Sequence, residues 1–336
     1  MKRNWFVLLL FAVIMVLVGH IIIQYKQDEK QMDKNFAAFL YAEKSDTVWR
    51  GPGPYQIPIY TDSGQLIRYG YELITHTSFY LGPHGTVAHI SNGMNCQNCH
   101  LEAGTKPYGN NYGKVYATYP LYRPRSNSIQ GISERVNDCL ERSLNGHALD
   151  TNSKEMKAIY SYIKWLGNDV PKGSKPGGTG IMKLAYLNRA ADKLNGKLVY
   201  ENTCRRCHGE GGQGLPDTSG TGYIYPPLWG NNSYNDGAGL FRLSSFAGFV
   251  KNNMPDGTDF HSPQLSNEQA WDVAAFVNSQ PRPHKDQSQD WRITSEKPVD
   301  FPYGPYTDHY TEQQHKYGPF VPIVQSNISS KKSSSH

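Results

Sequence analysis

The chain carries the same five-residue pattern twice, as Cys96-Gln97-Asn98-Cys99-His100 and as Cys204-Arg205-Arg206-Cys207-His208. Two thiols on one turn of chain reach both vinyl groups of a single haem and form thioethers, and the histidine that follows lies under the iron. Two copies therefore imply two covalently bound c-type haems, attached through Cys96, Cys99, Cys204 and Cys207, with His100 and His208 as proximal ligands. The chain has five Cys. Four go to the haems, so no disulfide framework is left to build. The fifth, Cys139, has two readings. It is a small buried core residue, as free Cys often is, or it is a thiolate ligand to the first iron.

Candidates for the sixth ligand of the first haem are Cys139, Met94, Met156, His89 and His147. Cys139 falls in Ile132–Gly146, which reads as a short helix ended by Asn145-Gly146. Arg135, Cys139, Arg142 and Ser143 stand at i, i+4, i+7 and i+8, so two guanidiniums and a hydroxyl share the face of the thiol. Nearby cations favour the thiolate form. The alternative is a solvated charged face, since Glu134, Asp138 and Glu141 are close, but those acids fall mostly on other faces. Arg123 and Arg125 add two cations upstream. Arg forks match planar oxyanions, so four of them near a haem edge make an anion pocket; pairing of Arg123 and Arg125 with haem propionates is the competing role. For the second haem, Met254 in Asn253-Met-Pro-Asp-Gly257 is the expected distal ligand, with His261 as competitor and a structural Met as the bland alternative.

The elements that must position these groups follow from pattern. At 336 residues the chain is long enough for two cores. Each haem motif is followed by a Gly- and Pro-rich stretch, a polar loop and an amphipathic helix. The first such helix is expected over 152–166 with Gly167 ending it, and the second over 266–279 with a Ser266/Gln269 capping box. A helix over 186–203 would lead into the second motif. The fold class is mainly α: two tandem cytochrome c domains with long loops, preceded by a single N-terminal transmembrane helix. The expected order is an anchor over 1–25, a stalk over 26–46, an active-site haem domain over 47–170 and a flexible linker over 171–182. An electron-transfer haem domain follows over 183–284, then an extended wrapping segment over 285–325 and a disordered tail over 326–336. Region 47–92 has turns and short β-like pieces and resists placement.

Lys2 and Arg3 precede an apolar run over 5–23. At about 1.5 Å per residue it would span a bilayer core, N-terminus inside, and no small-residue cleavage site follows. This points to an uncleaved anchor in the inner membrane with the haem domains on the periplasmic, exported side. The net charge of +5 carries no basic run interleaved with stacking aromatics, so nucleic acid is excluded as a partner, and the mild positive charge suits small anions or an acidic redox partner.

The chain resembles the thiosulfate dehydrogenase family of dihaem c-type cytochromes over roughly residues 75–325. The likeness is carried by Cys-x-x-Cys-His, Tyr-Arg-x-Arg at 122–125, Arg-x-x-x-Cys-x-x-Arg-Ser-x-Asn-Gly at 135–146, the second Cys-x-x-Cys-His with Met-Pro-x-Gly, and Gln-His-Lys-Tyr-Gly-Pro-Phe at 314–320. The 135–146 segment is its most specific part. The resemblance implies coupling of two thiosulfates to tetrathionate, or the reverse. Cys139 would be axial ligand and transient partner of a substrate sulfur; Arg125, Arg135 and Ser143 would hold substrate; Met254 would ligate the second haem. Some relatives carry Lys before that Met and exchange ligands on reduction; here the position is Asn253. Electrons would pass from the first haem to the second and on to a cytochrome or membrane-bound acceptor. Two alternatives stand beside this enzyme: an anchored electron-transfer cytochrome with no substrate of its own, and a related cytochrome that loads sulfur onto a carrier protein.

Overall fold

The computed structural model describes residues 48–333 apart from 219, together with 15, 17–24 and 27, with side chains through 328. Most of the apolar run 5–23 and of the stalk 26–46 lies outside the described residues, and among those described no helix is long and apolar enough to cross a membrane.

In the unplaced region, residues 48–92 hold two α-helices in place of the expected short β-like pieces. Thr61 caps α1 (Asp62–Thr75), its hydroxyl accepting from Gly64 N at 3.0 Å, and α2 (Thr77–Leu81) follows. Helix α3 spans Ile132–Arg142. Helix α4 spans Lys154–Leu166, with Ser153 as its cap and Gly167 at its end. Helices α1 and α4 cross at Gly70, where an added Cβ would stand 2.1 Å from the Ala158 carbonyl oxygen. Leu73, Ile74, Ile159, Tyr162 and Ile163 fill the core beneath that crossing.

The second half repeats the device. Asp192 caps α5 (Lys193–Val199), accepting from Leu194 N at 2.7 Å. A wider π turn, Tyr200–Cys204, leads into the single turn Arg205–His208 that holds the second haem motif. Two helices close the domain: α6 (Leu243–Asn253) and α7 (Asn267–Asn278), the latter opening with the Ser266/Gln269 capping box. Helices α5 and α7 cross at Gly196, whose added Cβ would stand 1.9 Å from the Asp272 carbonyl oxygen. The sheets are minor: β1 (Leu121–Arg123) pairs antiparallel with β2 (Ser128–Gln130), and β3 (Leu215–Pro216) with β4 (Tyr223–Tyr225).

Apolar packing joins the halves. Leu81, Met94, Leu140 and Leu144 from the first lie in one cluster with Phe246, Val250, Trp271 and Val273 from the second and with Phe320 and Ile323 near the C-terminus.

Four segment expectations need correction. The helix before the second motif begins at Lys193 rather than 186, because Asp192 supplies the cap. The linker is pinned rather than flexible: the carbonyls of Gly177, Gly178 and Gly180 accept from Trp49, Tyr108 and Asn110 N–H groups. The segment 285–325 is not extended throughout. It includes α8 (Glu312–Tyr317), capped by Thr311, and the start of α9 (Val321–Ser333). The tail is helical as far as Ser333, since Phe320 and fully buried Ile323 anchor its first turn to the core; 334–336 lie outside the described residues.

Candidate functional site

The first haem motif is held by the α1–α2 junction, through one side chain and two backbone groups. Cys96 N donates to Thr77 Oγ1 at 2.9 Å, Gln97 Nε2 to the Thr75 carbonyl at 2.8 Å, and Ser78 N to Asn95 Oδ1 at 2.8 Å. His100 Nδ1 lies 2.5 Å from the Asn110 carbonyl, which can only accept. That fixes the tautomer: Nδ1 carries the proton and Nε2 is left with its lone pair for iron. Tyr112 stacks on the imidazole at 4.5 Å between centroids. Burial pushes His100 down to about 4, so the ring stays neutral, as a ligand must. Burial also pushes Cys96 up to about 11 and Cys99 up to about 12. Such sites disfavour free thiolates but suit thioethers, which carry no charge.

Beside this motif is a cavity of about 670 Å³, walled by Ile74, Leu81, Val115, Ile132, Leu140 and Ile159 among others. The attachment thiols, the lone-pair nitrogen and an apolar slot coincide, so these residues fit a c-type haem. Of the five sixth-ligand candidates, Cys139 alone lines it. Met156 is 1% exposed in the helical core of α4, His89 and His147 are exposed, and Met94 lines the other cavity.

Arg135 and Ser143 share this wall with Cys139, and so does Arg123. Arg135 Nη1 donates to Cys139 Sγ at 3.2 Å. Its closeness to Cys139 holds the Arg135 guanidinium above its ordinary value, against the opposing effect of burial. The other two arginines are engaged elsewhere. Arg125 Nη2 donates to Asp138 Oδ2 at 2.5 Å, and Arg142 forks onto Asp290 with two bonds of 2.8 Å. Neither lines the cavity. The i+7 spacing puts Arg142 near the thiol face, but a carboxylate from the C-terminal segment draws its guanidinium away.

The second motif has the same construction. His208 Nδ1 lies 2.8 Å from the Pro226 carbonyl, and burial lowers the imidazole. A cavity of about 460 Å³ is lined by Cys204, Cys207, His208, Leu228, Phe246, Val250, Val277 and Met254. These residues also fit a haem, with the imidazole and the thioether on its wall. His261 is exposed and does not line it. Cys99 and Asn95 line both cavities, so the first attachment turn is common wall between the two sites.

A family profile described as "SoxA/TsdA, cytochrome c domain" matches residues 86–171, and one described as "Cytochrome c" matches 194–281. A thiosulfate dehydrogenase of Psychrobacter arcticus is 39% identical over 230 residues, covering 68% of this chain and 67% of that protein. The chain belongs to the thiosulfate dehydrogenase family. A second member, from Allochromatium vinosum, is 40% identical over 198 residues, covering 58% of this chain and 72% of the relative. The solved thiosulfate dehydrogenase (TsdBA) of Marichromatium purpuratum superposes with a TM-score of 0.65 at 30% identity, over 73% of this chain. The match spans about half, 51%, of that solved chain. As a member of the thiosulfate dehydrogenase family with two cytochrome c domains, this chain is an oxidoreductase carrying two covalently bound c-type haems.

Sequence reasoning missed several wall residues. Lys114 and Lys175 face the first cavity, the latter from the pinned linker. Burial lowers Lys114, and Lys175 and Lys183 lower it further. No motif marks these lysines. The Asn110 carbonyl, a backbone group, leaves no signal at all.

Proposed function

We propose that this protein oxidises two thiosulfates to tetrathionate at the Cys139 side of the first haem. Met254 would ligate the second haem, which would relay the electrons to a cytochrome or membrane-bound acceptor. One observation carries the reading: Cys139 Sγ lies on the wall of the first cavity with the Arg135 guanidinium 3.2 Å away. The names of the relatives support the substrate.

The reaction joins two dianions through one sulfur–sulfur bond and releases two electrons. When bound, the two haems supply two one-electron acceptors. The chain's own residues must bring the anions together. Two unit charges about 4 Å apart repel by about 4 kcal/mol at an effective dielectric of about 20, and two dianions by four times that. Arg135 and Arg123 on the wall offset this repulsion, and Ser143 offers a hydroxyl to a sulfonate oxygen. Arg135 also stabilises negative charge on the Cys139 sulfur: bonding of that sulfur to one thiosulfate would release the two electrons the haems accept, and a second thiosulfate would then displace the Cys139 thiolate to give tetrathionate. Arg125 acts at one remove. It holds Asp138, which in turn lies 3.9 Å from the Arg135 guanidinium and orients it. Arg142 ties down the C-terminal segment rather than meeting substrate.

The apolar run 5–23 with Lys2 and Arg3 before it supports an inner-membrane anchor that leaves both haem domains on the periplasmic side. The test of function is product analysis of the fully haem-loaded protein. With thiosulfate and an artificial one-electron acceptor, tetrathionate should form at one molecule per two electrons. The reverse assay, tetrathionate with a reduced dye, gives the direction that runs faster. No product in either direction would leave an electron carrier without a substrate.

A further inference from the structure

One short segment of the first domain touches the axial machinery of both haem sites. It runs from Lys106 to Asn110. At one end the Asn110 carbonyl accepts from His100 Nδ1 at 2.5 Å. At the other, Lys106 Nζ donates to the Thr258 carbonyl at 2.8 Å, across 152 residues of chain. Between them the Tyr108 carbonyl accepts from Asn253 Nδ2 at 3.2 Å, and the Tyr108 ring packs edge-on against Phe260 at 5.0 Å. Asn253 and Thr258 bracket Met254. The partners on the second-domain side are thus the last residue of α6 and the loop after it that carries this methionine.

The segment is also strained and pinned. Tyr108 has φ +53° and Asn110 has φ +58°, in the left-handed region that side chains rarely adopt. Such conformations persist only where their surroundings over-determine them. Here Tyr108 N and Asn110 N donate to the carbonyls of Gly178 and Gly180. Lys106 itself lines the second cavity, although it belongs to the first domain. The Met254 loop's own hydrogen bonds are local, such as Met254 N to the Val250 carbonyl and Thr258 N to the Pro255 carbonyl. Asn253 Oδ1 and Thr258 Oγ1 are buried without a hydrogen-bond partner. Residues 256, 257 and 259 are exposed.

We propose that Lys106 is a positioning residue for the second haem: its ammonium, reaching across the domain boundary, holds the Met254 loop closed so that the thioether stays on the iron. A charge-assisted bond of this kind contributes about 1.5–3 kcal/mol when made. The same segment orients His100, so the two sites share one mechanical element. The inference rests on Met254 being the distal ligand. It adds the residue from the other domain that keeps it there.

The test uses the near-infrared charge-transfer absorption that a methionine thioether gives with ferric haem, and the rate at which added imidazole displaces it. The subjects are full-length, fully haem-loaded wild type, Lys106→Leu and Lys106→Arg. Wild type should show the absorption. Lys106→Leu should weaken it and take up imidazole about tenfold faster, the ratio that corresponds to the lower end of that bond's worth. It should still carry two haems and be reduced by thiosulfate at the first. Lys106→Arg, whose fork still reaches the carbonyl, should restore the wild-type rate. Where Lys106→Leu fails to assemble, Phe260→Ala loosens the same loop from its other strut and should raise the imidazole rate. A wild-type absorption and imidazole rate in Lys106→Leu, or in its Phe260→Ala substitute, would overturn the proposal. Absence of the absorption in wild type itself would contradict the Met254 assignment beneath it, which separates the two failures.

Discussion

Arg142 and Asp290 face each other as a two-pronged pair, with Nη1 and Nη2 each 2.8 Å from a different carboxylate oxygen. They are 148 residues apart, and each side chain is only 10% exposed. The pair ties α3, the helix that carries Cys139, to the C-terminal segment. Removing Asp290 leaves Arg142 only the Asp138 carboxylate at 4.0 Å and the Gly237 carbonyl at 3.4 Å, so the cost falls toward the low end of the about 3–5 kcal/mol for breaking a buried pair. Asp290→Ala should therefore lower the urea midpoint markedly, while Asp290→Glu recovers part of the loss. A midpoint unchanged in Asp290→Ala would show that the pair does not hold the segment.

Arg135 is the cation bonded to the Cys139 sulfur, whereas Arg142 is committed to Asp290. Arg135→Gln should lower kcat/KM for thiosulfate by roughly 10²–10³-fold, the range seen on losing one donor at developing charge. Arg142→Gln should act chiefly on stability. Steady-state kinetics and melting of the two variants separate these roles, and equal catalytic losses would contradict the assignment.

Gly70 and Gly196 mark the two helix crossings. A methyl group at either position would meet a backbone carbonyl oxygen, of Ala158 at 2.1 Å or of Asp272 at 1.9 Å. The backbone cannot step aside as a side chain tip can. Gly70→Ala and Gly196→Ala should each destabilise by about 1–3 kcal/mol or more through overpacking. Haem retained per chain and thermal melting check this, and wild-type melting in both would refute the crossing geometry.

His284 Nδ1 lies 2.7 Å from Asp236 Oδ2, and that bond raises the imidazole above its ordinary value. The sign follows from linkage. A raised folded-state value gives stability that is fully present below about pH 6.5 and is lost as pH climbs through the folded value. The side chain is 75% exposed, so the effect is small. His284→Gln should lower the urea midpoint slightly near pH 5.5 and leave it unchanged near pH 9, with measurement at both. A deficit that grows with pH would reverse the argument.

The chemistry was more legible in the sequence than the scaffold was. The Cys-x-x-Cys-His spacing marks both attachment turns because the haem itself demands it. The Gly167 stop and the Ser266/Gln269 box mark the end of α4 and the start of α7 because caps are local. The i, i+4 spacing of Arg135 and Cys139 is likewise a property of one helix, and the two side chains do meet. What remained hidden is long-range. Nothing local to 171–180 says that its glycine carbonyls are bonded to Trp49, Tyr108 and Asn110. Nothing near Arg142 announces Asp290. The C-terminal Ser/Lys run reads as unstructured, yet Phe320 and Ile323 just before it dock on the shared core and start a helix.

Cys139 as the working ligand of the first haem is tested by optical reduction of the purified, fully haem-loaded protein by thiosulfate, in wild type and in Cys139→Gly. Wild type should be reduced fast, with tetrathionate formed. The variant should show no thiosulfate-driven reduction, with both haems still attached and still reducible by dithionite. Equal rates of thiosulfate reduction in the two proteins would contradict that role.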